Sequence, residues 1–301
     1  MSEPTEVEDV FARRIEIRDL DDPRLRPYWN LKERTLRGEA VFIAEGVLVV
    51  ERLLKSPYRT ESVLTTRKDD EELRELLLKV PHDVPIYYID DRTAMKRLVG
   101  FDFHQGVLAL GRRVDLPTLT EGLTDFFSGR NRRASDSSTI SESRRRRAWV
   151  ALPDTTKPDN LGLVFRCAAA LDAEAVILGE RCCDPFSRRA LRVSMGGVLQ
   201  TPIYQAKNLF DEILFAQKRW NLPFCATVLD EQATSLNSMT RLEWEQYEFM
   251  TFVFGNEYSG LSPGWVSICD RKMIIPMRRD VDSLNLGVSV GIFLYEFNKW
   301  N

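Results

Sequence analysis

The sequence predicts an α/β protein whose C-terminal half is built on a mostly parallel sheet, and three observations predict it. Short runs rich in Val, Ile and Phe alternate with segments of helical periodicity. Those runs are apolar at successive residues, as strands covered on both faces are. An Arg/Ser-rich stretch divides the chain of 301 residues into two parts, in line with about two domains at roughly 100–200 residues each. Hydrophobic residues make up 44% and charged residues 29%, close to globular averages.

In chain order, residues 1–25 read as an N-terminal extension and 26–127 as a small α/β domain. FIAEGVLVVERLLKS (Phe42–Ser56) runs into a helix through Val47, Val50, Leu53 and Leu54. SVLTT (Ser62–Thr66) and VPIYYI (Val84–Ile89) read as strands flanking a helix at Asp69–Lys79, and HQGVLALGRR closes the block near Arg113. Residues 128–147 hold seven Arg against Asp136 and Glu142. The segment contributes +5, so the remainder carries −8 to reach the net −3. With almost no apolar residues it reads as a flexible linker. It is either a solvated hinge or a basic arm with salt-sensitive affinity for a polyanion, and the two are compatible. Residues 148–301 form the second domain, with strands at WVALPD (149–154), AVILGE (175–180), FCATVLD (224–230), FMTFVFG (249–255) and KMIIPM (272–277). Helices are expected near 160–171, 186–195, 208–220 and 284–298.

Several chemistries are excluded by what is missing. The longest apolar candidate, Leu284–Phe297, is too short to span a membrane and is broken by Gly and Ser. The acidic start MSEPTEVEDVF fits neither a signal peptide nor an Arg-rich transit peptide, so a cytoplasmic protein is expected. Cys167, Cys182, Cys183, Cys225 and Cys269 include no C-x-x-C and read as reduced structural thiols. His82 and His104, the two histidines, both precede the linker. That removes H-E-x-x-H and a histidine triad confined to the C-terminal half, and no metal is expected. Neither G-x-x-x-x-G-K-[ST] nor G-x-G-x-x-G occurs.

Ligands of parallel sheets bind at the carboxyl ends of the strands, and three segments there hold residues a plain fold would not require. KPDNLGLVFRCAAAL (Lys157–Leu171) offers Asp159 or Asn160 as a helix cap and a stripe of Leu161, Val164, Phe165 and Ala168. Arg166 points about 140° away from that stripe, toward a ligand or merely solvent. FGNEYSGLS (Phe254–Ser262) ends a strand on Gly-Asn-Glu, which by itself marks no more than a turn. IIPMRRDVDSLNLGVSVGIFLYE (Ile274–Glu296) is a strand, a loop, and a helix opening at Ser283-Leu284-Asn285. Gly287, Ser289 and Gly291 let another backbone approach that helix closely.

In this order the segments resemble the three motifs of the SPOUT superfamily, specifically the TrmH/SpoU RNA ribose methyltransferases. The matching residues are Asn160, Gly162, Arg166 and Ala168; Gly255, Asn256, Glu257 and Gly260; and Ile275, Pro276, Met277, Ser283, Leu284 and Asn285. RVSMGG (Arg192–Gly197) is similar to the family's R-x-S-x-G-A segment, while FIAEG and QGVLAL resemble the RNA-binding module preceding the catalytic domain. Asp172 stands where the family often has Gly, and Gly197 where it usually has Ala.

The resemblance implies a deep trefoil knot over 148–301 and an S-adenosylmethionine pocket formed by main chain at Gly255, Ile275 and Leu284. It implies a homodimer whose sites are completed across the interface, with which the small-residue face of the last helix is compatible. It implies 2′-O-ribose methylation of structured RNA, ribosomal RNA before transfer RNA. Arg166 would bind a phosphate and polarise the 2′-hydroxyl, with Asn160, Glu257, Ser283 and Asn285 orienting it and the acceptor. A base-methylating SPOUT enzyme and a non-catalytic RNA-binding protein on the same fold are the alternatives. The Ser-Leu-Asn triplet favours ribose, and retention of Arg166, Glu257 and Asn285 favours catalysis. A Rossmann-type methyltransferase is disfavoured, since no glycine-rich loop follows the first strand.

Overall fold

The computed structural model describes residues 10–31, 36, 39–66, 71–104, 106–134, 146–278 and 283–299. Two compact units emerge: Met1–Val114 with Phe186–Leu199, and Asp115–Pro185 with Gln200–Asn301.

The first unit runs β1 (Arg14–Glu16), β2 (Val41–Glu45), α1 (Val47–Leu54), β3 (Thr60–Thr66), α2 (Glu71–Leu78), β4 (Ile86–Ile89), α3 (Arg92–Val99) and β5 (Val107–Arg112). Its sheet has the order β1-β4-β3-β5-β2, with β5 antiparallel to both β2 and β3. Residues 10–31, expected to fall largely in an extension, belong to this core: β1 pairs with β4, and Ile17, Leu25 and Tyr28 are buried. A three-residue strand between charged side chains leaves no period to detect.

The second unit begins with α4 (Leu119–Ala134), followed by β6 (Arg147–Leu152), α5 (Pro158–Ala170) and β7 (Ala175–Leu178). The chain then forms α6 (Arg188–Val193), which packs on β2 within the first unit. It resumes as β8 (Ile203–Gln205), α7 (Leu209–Trp220), β9 (Phe224–Thr227), β10 (Thr234–Ser235), α8 (Arg241–Trp244), β11 (Phe249–Val253), α9 (Pro263–Ile268), β12 (Arg271–Ile274) and α10 (Leu286–Asn298). The seven strands lie in the order β10-β12-β9-β11-β6-β7-β8, and every pairing is parallel. β7 and all but the first residue of β6 and β11 are buried, which is why these strands read as continuous apolar runs.

Two expected boundaries move. The division at 127/128 falls inside α4, whose Leu119 and Leu123 are buried and whose Phe126 meets Trp149 edge-on at 5.3 Å. At the other end of the expected linker, Arg146 is buried and Arg147 opens β6 and pairs with Glu174 at 2.9 Å. The remaining linker residues, 135–145, lie outside the described residues. The other shift is 186–199, expected in the second domain. Arg188 donates to the buried Glu45 carboxylate at 2.7 Å, and Phe186 stacks on Phe42 at 5.1 Å. No helix among the described residues is long and apolar enough to cross a membrane.

The expected stripe of α5 is buried at Leu161, Val164, Phe165 and Ala168. A neighbouring face of α5, Leu163 and Cys167, meets α10 at its glycines: a Cβ at Gly287 would lie 2.5 Å from Leu163 Cβ, and one at Gly291 would lie 3.3 Å from Cys167 Sγ. The glycines therefore serve packing within the chain. Gly287→Ala should cost about 1–3 kcal/mol by overpacking, whereas Gly291→Ala should be close to neutral, since its helix-propensity gain of up to about 1 kcal/mol offsets a small shift of Cys167. Urea denaturation of both variants checks this.

Candidate functional site

A cavity of about 600 Å³ opens at the carboxyl ends of β9, β11 and β12. Its lining includes Asn160, Gly255, Glu257, Ile275, Ser283, Leu284 and Asn285, brought together from three separate segments. Thr227 and Leu229 continue the wall from β9, and Phe254, Met277 and Phe293 supply apolar surface.

The polar side of the cavity is a chain of hydrogen bonds. Asn160 Nδ2 donates to Glu257 Oε1 at 2.7 Å, and Asn285 Nδ2 donates to Asn160 Oδ1 at 2.9 Å. Asn285 Oδ1 accepts from the Gly287 N–H at 2.9 Å and so caps α10. Neither Asp159 nor Asn160 caps α5: the N-cap is Lys157, with Pro158 in the first turn and no side-chain bond. Proline's fixed φ and missing N–H start a helix without help, which leaves the Asn160 amide for the site. Glu257 Oε2 is sealed from solvent and has no hydrogen-bond partner among the described residues.

Gly255 lies two residues beyond β11, beneath a tight turn. A Cβ there would collide with the Gly260 carbonyl carbon and the Leu261 nitrogen, so only glycine lets the two backbones meet.

The SpoU rRNA Methylase family matches residues 147–295. An uncharacterised tRNA/rRNA methyltransferase of Mycobacterium bovis is 31% identical over 92% of this chain and 89% of its own. The chain belongs to the SpoU family. The 23S rRNA (guanosine-2′-O-)-methyltransferase RlmB of Acinetobacter baylyi is also 31% identical, over 83% of this chain and 94% of its own. In fold, the chain is similar to an AdoMet-bound rRNA methyltransferase from Sinorhizobium meliloti, with a TM-score of 0.74, 22% identity and coverage of 96% and 98%.

One of the candidate site residues stands apart. Arg166 is exposed on α5 as its helical angle predicts, but it does not line the cavity, and it has no hydrogen bond or ion pair among the described residues. Lys157 and Tyr258 line the cavity without having been singled out. The signal was present, since Lys157 precedes a helix-opening proline and Tyr258 sits inside GNEYSG. Asp172, where the family often has Gly, takes φ 55°, the left-handed region that glycine enters freely and Asp tolerates. All five cysteines are reduced thiols, and burial pushes them up, Cys182 to about 11 and Cys183 to about 12. They stay protonated and unreactive at neutral pH.

Asn285 joins two duties that substitution separates. Asn285→Ala removes the cap of α10 and should lower stability by about 1 kcal/mol. Asn285→Asp keeps the capping oxygen but sets a second acceptor against Asn160 Oδ1, so in the same denaturant titration it should keep the stability of the cap while losing the bond to Asn160.

Proposed function

We propose that this protein is an S-adenosylmethionine-dependent 2′-O-ribose methyltransferase acting on structured RNA, ribosomal RNA in the first instance. The observation that carries the reading is the convergence of Gly255, Ile275 and Leu284 with the Asn160–Glu257–Asn285 chain on one cavity at the strand ends.

The residues present fit the methyl donor. Backbone at Gly255, Ile275 and Leu284 would hold its adenine, Phe254, Met277 and Phe293 supply apolar wall, and the buried Oε2 of Glu257, which has no hydrogen-bond partner among the described residues, offers a carboxyl oxygen to a cationic ligand. When bound, S-adenosylmethionine supplies an electrophilic methyl on a sulfonium. The chain's own task is then to place the acceptor and ease loss of its proton. Asn160 and Asn285 fix the Glu257 carboxylate, and Ser283 at the cavity wall offers the acceptor ribose a hydroxyl. Arg166 carries a permanent charge and five donors, suited to a phosphate and to the developing 2′-oxyanion.

Because Arg166 lies off its own cavity, it belongs in this reading to the site of a second copy. The proposal is therefore a homodimer, with the C-terminal stretch threaded as the family's trefoil knot, the first unit holding RNA, and a cytoplasmic setting.

S-adenosylhomocysteine should stabilise the full chain by mass action, by about 2.7 kcal/mol at a hundredfold excess over Kd. No thermal shift at millimolar ligand overturns the cofactor assignment. Arg166→Ala should fold and bind S-adenosylhomocysteine as wild type does, yet lose about 10²–10³-fold in single-turnover transfer of tritiated methyl, as loss of a fixed oxyanion partner does. Mixed with Glu257→Ala, it should regain activity if the sites are shared between protomers. Two inactive sites per mixed dimer would place Arg166 in its own site.

A further inference from the structure

The rim of the cavity carries a pair of side chains outside the polar chain. Asn256 and Gly260 form an antiparallel bridge, with the Asn256 N–H donating to Gly260 O at 3.1 Å and the Gly260 N–H to Asn256 O at 2.9 Å. Asn256 Oδ1 accepts from the Tyr258 N–H at 2.9 Å, and Gly260 takes φ 64° to close the turn. Tyr258 is thus held at the tip of a pinned loop, 78% exposed, more than any other large hydrophobic side chain among the described residues. A solvent-facing aromatic on a rigid turn gains nothing for the fold.

One of its faces is occupied. Lys157 Nζ lies 4.4 Å from the ring centroid, and Lys157 is kept charged, its pKa raised by the Tyr258 hydroxyl and then by the Glu257 carboxylate. At that exposure the opposite face is open. A cation on one face draws electron density from the ring and favours stacking of an electron-rich base on the other. RNA enzymes meet unstacked bases on aromatic side chains with cations nearby for the phosphates.

We propose that Tyr258 and Lys157 form the platform for the acceptor nucleotide: the open face of Tyr258 stacks on its splayed-out base, and Lys157 sets the ring and meets the adjoining phosphate. This rests on the RNA methyltransferase reading. It adds a base-binding element beside the reacting ribose, built from side chains that the motif residues do not include. The sequence-tolerant part of recognition would lie here, since every base has a π face.

The test uses the full chain, tritiated S-adenosylmethionine, and two transcribed, unmodified probes, 23S rRNA and a tRNA pool. Tyr258→Ala and Tyr258→Leu should raise KM for RNA about 10–100-fold with kcat little changed, the range expected for loss of one stacked base. Tyr258→Phe and Tyr258→Trp keep a π face and should restore most of the affinity. Lys157→Ala should reduce the slope of log K against log salt by about 0.7–0.9, one phosphate contact. Calorimetric affinity for S-adenosylhomocysteine should be the same in all variants. A wild-type KM in Tyr258→Ala overturns the proposal, as does Tyr258→Leu matching Phe, or loss of S-adenosylhomocysteine binding in Tyr258→Ala. Wild-type chain that methylates neither RNA overturns the enzymatic reading and this inference with it.

Discussion

The close approach of α5 and α10 is the contact on which the site depends. Gly287 rests against Leu163, Cys167 Sγ donates to the Gly287 carbonyl at 3.2 Å, and at the far end Asn298 Nδ2 donates to Leu171 O at 2.7 Å. The opposite side of α10 is anchored by aromatic packing, Phe293 on Phe252 at 5.2 Å and Phe297 on Trp244 at 5.3 Å. With both sides fixed, the first turn of α10 meets the first turn of α5, and Asn285 reaches Asn160. Cap, relay and cavity wall are one arrangement: the amide that starts a helix also holds the amide that holds Glu257. A side chain inserted at Gly287 would move all three.

The second constraint is topological. In an all-parallel sheet every strand delivers its following loop to the same edge. β9, β11 and β12 therefore place Thr227, Gly255 and Ile275 side by side although about 50 residues separate the first from the last in sequence. Main-chain groups at that edge are already committed in position by the ladder, so a ligand gripped there is gripped by rigid scaffold. Gly255 lets the 256–260 turn fold back over the strand end and roof the cavity.

What was legible in the sequence divides along physical lines. α5, α7 and α10 carry three or more turns of periodicity, and the central strands carry continuous apolar runs, so both were readable within a few residues. β1, β8 and β10 have two or three residues each and leave no period. The Arg-rich composition begins inside α4, well after its buried Leu119 and Leu123, so a composition window places the division between units too late. Chain order alone puts segment 186–199 with its sequence neighbours, whereas the Glu45–Arg188 pair and the Phe42–Phe186 stack that attach it elsewhere are long-range contacts. Among the site residues that motif order indicates, all but Arg166 gather at one cavity. The capping role expected of Asn160 failed because Pro158 starts the helix unaided, and that failure frees the amide for the relay.

Electrostatics gives the division of labour along α5. Among the described residues that line the cavity, the carboxyl group is that of Glu257, whose buried Oε2 has no hydrogen-bond partner among them, and the ammonium is that of Lys157, at the rim. Such a pocket favours a cationic donor inside and leaves the anionic acceptor to groups at the mouth and beyond. Asn160 and Arg166 sit six residues apart on one helix, about 9 Å along its axis and about 120° around it. Asn160 serves the cavity of its own chain, and Arg166 cannot face the same way. A guanidinium left exposed costs no desolvation and keeps its full donor fork for a phosphate that arrives from outside. In the proposed dimer this geometry would let one rigid helix feed two sites, its own through Asn160 and the second protomer's through Arg166.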